Sequence, residues 1–500
     1  MEVGAVMRQT STAHQTYYPL RLSIRLLLLL RQRERGGGPV RREGLRVFAV
    51  ALLAVVLLAV ALLAPGCGGG DGSGGTQADR PGVQLVSSSQ SRESPDVASA
   101  DIAEVVAGNT AFAFDLYHAL AAPGGPEEAD ATPAASAAVS NVAFSPYSVS
   151  TALALTYAGA RGETAREMAE TLHFTLPPED LHSALNALDG ILATRRQEGT
   201  GAPGSPASIP LEWHAVNQLW GQTGYTFLPE FLDLLAAQYG AGMRLVDFAA
   251  DPEAARLTIN DWVASQTGRR IQDLLPPASL DDGCALALTN ALYFRATWQN
   301  PFLPESTAPS DFRPLTGETV RVPFMNKMAE MAYGEGKGWR AVEIPYRDRQ
   351  LVMLVIVPDE GRFAEVSEGL DAAGLGAILG ELAPQEVFLS LPKFEVTTNR
   401  SLGEALQALG MVSAFNEGGG ADFSGMTGDR SLFVSGVQHQ AFVAVDEAGT
   451  EAAAATAVTV AGGISEEPAE LRVDRPFLWL IRDVETGAVL FLGQVVDPSA

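Results

Sequence analysis

Apolar residues recur at helical spacing from Asn109 to Leu120, behind Asn109 and Thr110 as caps, and predict a first amphipathic helix. Ser145 to Ala158, Arg166 to Leu172, Pro229 to Tyr239, Pro252 to Thr267 and Leu402 to Leu409 read as further helices. Strand patterns dominate the rest. Val342 to Pro345, Leu351 to Val357, Val387 to Leu391, Phe442 to Val445, Phe477 to Arg482 and Val489 to Val496 are β-branched and apolar runs bounded by turn formers. Helices first and strands later predict an α+β fold with a large, mainly antiparallel sheet rather than a βαβ series. Ala121 to Ala138 and Glu198 to Pro210, rich in Pro, Ala and Gly, read as loop insertions, and no internal repeat is present.

One apolar run belongs to none of these elements. Arg41, Arg42 and Arg46 precede the uninterrupted stretch Val47 to Ala64, followed by Pro65-Gly66-Cys67 and the Gly/Ser-rich stretch Gly68 to Gly75. A charged, then hydrophobic, then small-residue order is that of an export signal, and it resembles a bacterial lipoprotein signal in which Cys67 becomes the acylated first residue. Ala64 departs from the leucine usual there. Lipidation at Cys67, an uncleaved membrane anchor and plain secretion are the alternatives, and each places the body outside the cytoplasm. The expected organisation is an unused upstream segment plus export signal over 1–66, a flexible linker over 67–100, and one domain over 101–500.

With 47% hydrophobic and 19% charged residues, the body can bury a sizeable core. Net charge is -25, and losing the nine arginines and three glutamates before Cys67 leaves 25 bases against 56 acids. Such a surface repels polyanions, which excludes nucleic acid and heparin-like partners. The pairs Arg195-Arg196 and Arg269-Arg270 are the densest basic spots after Cys67, and both read as solvated faces. Only Cys67 and Cys284 occur, so no disulfide framework is available, and Cys284 in its apolar run reads as an inert buried thiol. Six scattered histidines give no metal-ligand spacing, and no G-x-S-x-G elbow is present. Gly334 to Gly338 lacks the Ser or Thr that a phosphate loop needs after Lys337. The expectation is therefore a monomeric protein that is not an enzyme and holds no metal or cofactor.

Several longer motifs stand in a fixed order. Asn141 to Ser148 (NVAFSPYS) leads through Ala152-Leu153 to Gly159-Ala160-Arg161-Gly162-Glu163-Thr164. Ile259-Asn260-Asp261-Trp262-Val263 follows with Thr267, Ile271, Leu274 and Leu275, then Asn290-Ala291-Leu292-Tyr293-Phe294 with Trp298, Pro301 and Phe302. Ser390 to Phe394, Leu402 to Met411, Ala421 to Met426, Arg475-Pro476-Phe477, Ile481-Arg482 and Phe491-Leu492-Gly493 complete the series. Over residues 101 to 498 the chain resembles the serpins, inhibitors that trap a protease with a bait loop. That resemblance implies a helix crossing the front of the main sheet at Ile259 to Val263 and a buried polar latch of Ser145, Ser148, Asn290 and His439. A titrating switch at His439 is one further role open to it.

The stretch Val445 to Val458 is similar to the hinge of inhibitory serpins, carried here by Glu447, Gly449, Thr450, Glu451, Ala452, Ala453, Ala454, Ala455 and Thr456. A segment that slides between two paired strands needs small side chains on its buried face and no proline. Alternation puts Thr450, Ala452, Ala454, Thr456 and Val458 on one face and Glu451 on the other, while Gly449 offers freedom for a pivot. Taken alone, Ala452 to Ala455 also reads as helix. The resemblance implies an irreversible suicide-substrate inhibitor of serine-type, or cysteine-type, endopeptidases. Family spacing counted from Glu447 gives Gly463 as acyl donor, and counted back from Pro476 gives Ser465; the preferred bond is Ile464-Ser465, with Gly463-Ile464 next, because Ile464 is the one large side chain there. No Arg or Lys lies between Thr450 and Leu471, so the expected target is elastase-like or subtilisin-like. The alternative is a serpin that binds or scaffolds without inhibiting.

Overall fold

The structure is a computed structural model that describes residues 82–122, 139–197, 212–450 and 468–500. Gly463, Ile464, Ser465, hinge residues 451–456 and Cys67 lie outside the described residues.

The described helices are α1 (Ser99–Ala121), α2 (Pro146–Tyr157), α3 (Gly162–Thr171), α4 (Pro178–Gln197), α5 (Pro229–Tyr239), α6 (Pro252–Gln266), α7 (Phe363–Glu368), α8 (Ala372–Glu381), α9 (Gly403–Ala408) and α10 (Ser424–Thr427). One sheet of seven strands runs in the order β1 (Gln84–Val86), β4 (Met243–Val246), β3 (Glu212–Gln222), β5 (Leu286–Thr297), β13 (Gly449–Thr450), β12 (Val434–Val445) and β11 (Phe394–Ser401). The second runs β14 (Ala469–Arg472), β10 (Ala383–Pro392), β7 (Val320–Gly336), β8 (Trp339–Pro345), β9 (Leu351–Pro358), β15 (Phe477–Asp483), β16 (Val489–Val495) and β2 (Val142–Phe144), with β6 (Ala308–Phe312) on β7. The expected α+β class and the large, mixed but mostly antiparallel sheet are both present.

Helix α2 forms because Ser145 in extended conformation accepts from Ser148 N at 3.1 Å and Pro146 fills the first helical position, where no donor is wasted. Ten of its twelve residues are buried, so it is held by packing behind the seven-stranded sheet rather than by an amphipathic surface. Helix α6 lies on the opposite face: Ile259 and Val263 join Ile271, Leu274 and Leu275 in one cluster with Val216 and Trp220 of β3 and Ala287 and Ala291 of β5. Asn260 clamps the following loop, donating to Leu275 O and accepting from Leu275 N, both at 2.8 Å. This is the helix across the front of the sheet that the sequence implied.

Three expectations change. Residues 82–98, read as part of the linker, lie on the body. There β1 pairs antiparallel with β4, and Glu93 N donates to Ala237 O at 2.7 Å. Too few apolar residues made this stretch look unstructured; its hold is edge pairing and hydrogen bonding, which composition does not register. Second, Arg195 is no solvated face, since its guanidinium is buried and donates to Asp483 at 2.8 Å and to Glu485 at 2.6 Å. Third, α4, α7, α8 and α10 stand where no helix was expected, and α1 begins at Ser99, so Asn109 and Thr110, expected as its caps, lie inside it.

Candidate functional site

The seven-stranded sheet is parted at one end and closed along the rest. Strands β5 and β12 pair in parallel from Leu286 and Val434 up to Tyr293 and Phe442. Above that point the two-residue strand β13 lies between them, with Gly449 and Thr450 opposite Thr297 and Ala296 on one side and Thr450 opposite Val445 on the other.

The chain reaches this position through a tight reversal after β12. Asp446 Oδ1 accepts from Ala448 N at 2.8 Å and Gly449 N at 3.1 Å, while Asp446 N donates to Gly449 O at 2.9 Å. Side-chain capture of the two following amides is what aspartate does at turns. Burial raises the Asp446 carboxyl above its ordinary value, against these amides. Gly449 is required by closeness, not by a left-handed backbone: a Cβ there would stand 1.9 Å from Ala296 O. The expected pivot is thus a close-approach position.

Thr450 is fully buried and its hydroxyl meets the Tyr346 phenol at 2.7 Å. Tyr346 stacks on Trp298 with centroids 4.5 Å apart and sits edge-on to Phe294. Burial drives the phenol well above its usual range, so it stays protonated and able to donate. Trp298 closes the circle, its Nε1 donating to Asp446 O at 3.0 Å and its backbone N to Ala448 O at 3.0 Å. Glu447 ion-pairs with Lys393 and accepts from Thr307 Oγ1 at 2.8 Å. Burial pushes its carboxyl up, but the ammonium and hydroxyl outweigh that and hold it below the usual value.

Lower in the sheet stands a rung of polar residues. Asn217 of β3 is directly opposite Asn290 of β5, which is directly opposite His439 of β12. Asn290 Nδ2 donates to Ser148 Oγ at 2.7 Å and to Asn217 Oδ1; Ser148 Oγ donates to Asn217 Oδ1 at 3.1 Å. Asn290 Oδ1 is then left to accept from His439 Nδ1, which assigns the imidazole its Nδ1–H tautomer from the network. Its Nε2 is buried with no partner among the described residues, and burial lowers its pKa to about 3.

The structure therefore brings together Ser148, Asn290 and His439 of the expected latch. Ser145 does something else, capping α2 one turn away. Asn217 was missed, although a short amide among the apolar residues of Val216 to Trp220, on the face of Leu219, was a legible signal that it faces polar company. Cys284 is buried with its thiol pushed up to about 11 by burial, as an inert thiol should be.

Strands β5 and β12 thus stand apart at one end with Gly449 and Thr450 between them, above a polar rung in which Asn290 and His439 meet. The family model for serpins (serine protease inhibitors) matches residues 107–498. The chain is 36% identical over 398 residues to an uncharacterised serpin-like protein of Thermococcus kodakarensis, covering 79% of this chain and 86% of that one. It is 35% identical over 406 residues to the leukocyte elastase inhibitor of Homo sapiens, covering 79% of this chain and all of the relative. Among solved structures, the thermophilic serpin tengpin in its native state superposes with a TM-score of 0.68 at 25% identity, over 83% of this chain and all of that chain. Uncleaved ovalbumin gives 0.67 at 25% identity, over 79% of this chain and its whole length. The chain belongs to the serpin family of serine protease inhibitors.

Proposed function

We propose that the protein is an irreversible suicide-substrate inhibitor of serine-type endopeptidases with elastase-like or subtilisin-like preference, held outside the cytoplasm by a lipid on Cys67. The observation that carries this is β13: two hinge residues already occupy the place of a new strand between β5 and β12.

Register supplies the rest. A strand that continues antiparallel to both neighbours steps down β5 from Ala296 and down β12 from Val445, one residue at a time. Thr456 then falls opposite Asn290 and opposite His439, the same residue by either count. In such a strand its side chain would share the interior face of Thr450, where His439 Nε2 has no partner among the described residues. Residue 460 reaches the level of Leu286, the lower end of β5. The bait at Gly463, Ile464 and Ser465 lies just beyond, so cleavage at either Gly463-Ile464 or Ile464-Ser465 frees the whole inserting segment.

About ten new backbone hydrogen bonds at ~1 kcal/mol each make the inserted form more stable by on the order of 10 kcal/mol. That matches the whole stability of an ordinary domain. Serpin loop insertion is itself a worked instance of strand addition with release of stored strain. The attacking serine forms an acyl bond to the bait, the strand inserts before water can cleave the ester, and the enzyme is dragged with its active site distorted.

The test is incubation of the full chain with leukocyte elastase and with subtilisin. A complex that survives SDS is expected, and the cleaved chain should melt at least ~15 °C above the intact one. Cleavage without complex, or equal melting temperatures, would discard the proposal. For the location, Cys67→Ser should release the protein from the membrane fraction.

A further inference from the structure

Seven large apolar side chains are exposed among the described residues, and five of them, Leu85, Leu257, Leu315, Val412 and Val484, are scattered over separate elements. Single exposures of this kind are ordinary. Met328 and Phe388 are different: they stand directly opposite each other on β7 and β10, at 55% and 36% exposure. Two residues further along the same face, Glu330 is directly opposite Glu386. On the other side of β10, Glu470 of β14 is directly opposite Phe388. Directly opposite apolar residues of this kind support a strand pair by roughly 0.2–1 kcal/mol, yet much of their surface here still faces solvent. Lys327 turns to the other face, onto the Phe302 ring at 4.1 Å, and Arg472 is engaged with Ser310 and the Phe324 ring.

Position indicates what covers this patch. Glu470 lies five residues after Ser465, so the chain can separate them by no more than ~18 Å. An endopeptidase of about 240 residues has a radius of gyration of about 18 Å. An enzyme of that size holding the bait in its cleft would therefore lie within reach of β14 and its neighbours β10 and β7.

We propose that Met328 and Phe388, bordered by Glu330, Glu386 and Glu470, form a docking contact for the target protease outside the bait itself, matched to an apolar spot with basic neighbours on the enzyme's rim. This rests on the proposed inhibitory function but is tested apart from it. An apolar contact of this size slows dissociation of the encounter complex, and the carboxylates speed its formation.

The experiment compares the full chain with the double variant Met328→Ala/Phe388→Ala, using leukocyte elastase, both active and with its catalytic serine replaced by alanine. Met328 is 55% and Phe388 36% exposed, so loss of their cross-strand contact should lower the melting temperature by only about a few degrees. The expected result is a roughly tenfold loss of affinity for the inert enzyme and a similar fall in the rate of complex formation, with the stoichiometry of inhibition unchanged. Glu330→Gln/Glu386→Gln should slow association about threefold at low salt and not at high salt. If SDS-resistant complexes form and the apolar variant binds and reacts within twofold of the parent, the docking contact is refuted while inhibition stands. If no such complex forms but the inert enzyme still binds the variant tenfold more weakly, inhibition falls and the contact survives. A dimer of the parent chain that the variant dissolves would assign the patch to a second copy and overturn the proposal.

Discussion

The upper and middle parts of one strand pair behave in opposite ways. Between Leu286 and Tyr293, β5 is hydrogen-bonded directly to β12 and locked by Asn217, Asn290, His439 and Ser148; four residues higher the same strands are separated by Gly449 and Thr450. Of these side-chain bonds only Asn290–His439 crosses from β5 to β12, and it is lost when those strands part, while the others tie β5 to β3 and α2. The top holds a hairpin fixed by Asp446, Trp298 and Tyr346. On the proposed mechanism such a sheet would part from that end, and the rung would be the next side-chain tie to yield.

The largest effect should come from blocking the top. Thr450→Arg puts a charge where a fully buried hydroxyl meets Tyr346, so the hinge cannot enter the sheet. The stoichiometry of inhibition should rise more than tenfold, with the bait cleaved as an ordinary substrate; inhibition that survives would place the seed elsewhere.

Acidification should attack the middle. His439 there is held near 3 by burial, and His182, outside the sheet on α4 beside Tyr239, near 4, against an ordinary value of 6.5. The unfolded chain therefore takes up protons first, so the full contribution is present above about pH 6.5 and is lost as the pH falls toward those depressed values. From pH 6.5 to 5 each imidazole should cost about 2 kcal/mol, read as a lower urea midpoint. A midpoint indifferent to pH over that range would mean the rings reach water in the native state.

The smallest change is Asn217→Ala, expected to cost about 1–3 kcal/mol by leaving Asn290 Nδ2 and Ser148 Oγ each short of a partner. Its signature separates the two regions. Native melting temperature should fall and spontaneous conversion to a loop-inserted, inactive form on warming should speed up, while freshly prepared protein still inhibits at the parent stoichiometry. Loss of inhibition without loss of stability would show that the rung acts on the hinge after all.

Much of this was written locally. A Ser-Pro start to a helix and apolar runs punctuated by turn formers needed only nearest neighbours to be read, because they are consequences of side-chain period and capping. Tertiary structure decided which strands lie side by side. Asn217, Asn290 and His439 are 73 and 149 residues apart along the chain, yet form one rung. Gly449 looked like a flexible pivot until Ala296 O was found where its Cβ would go. Residues 84–86 looked like tether until the edge of β4 offered them partners. Pattern fixes which face of an element is apolar, but a hydrogen-bond partner in a sheet is chosen by register between distant segments, and no local window carries that information.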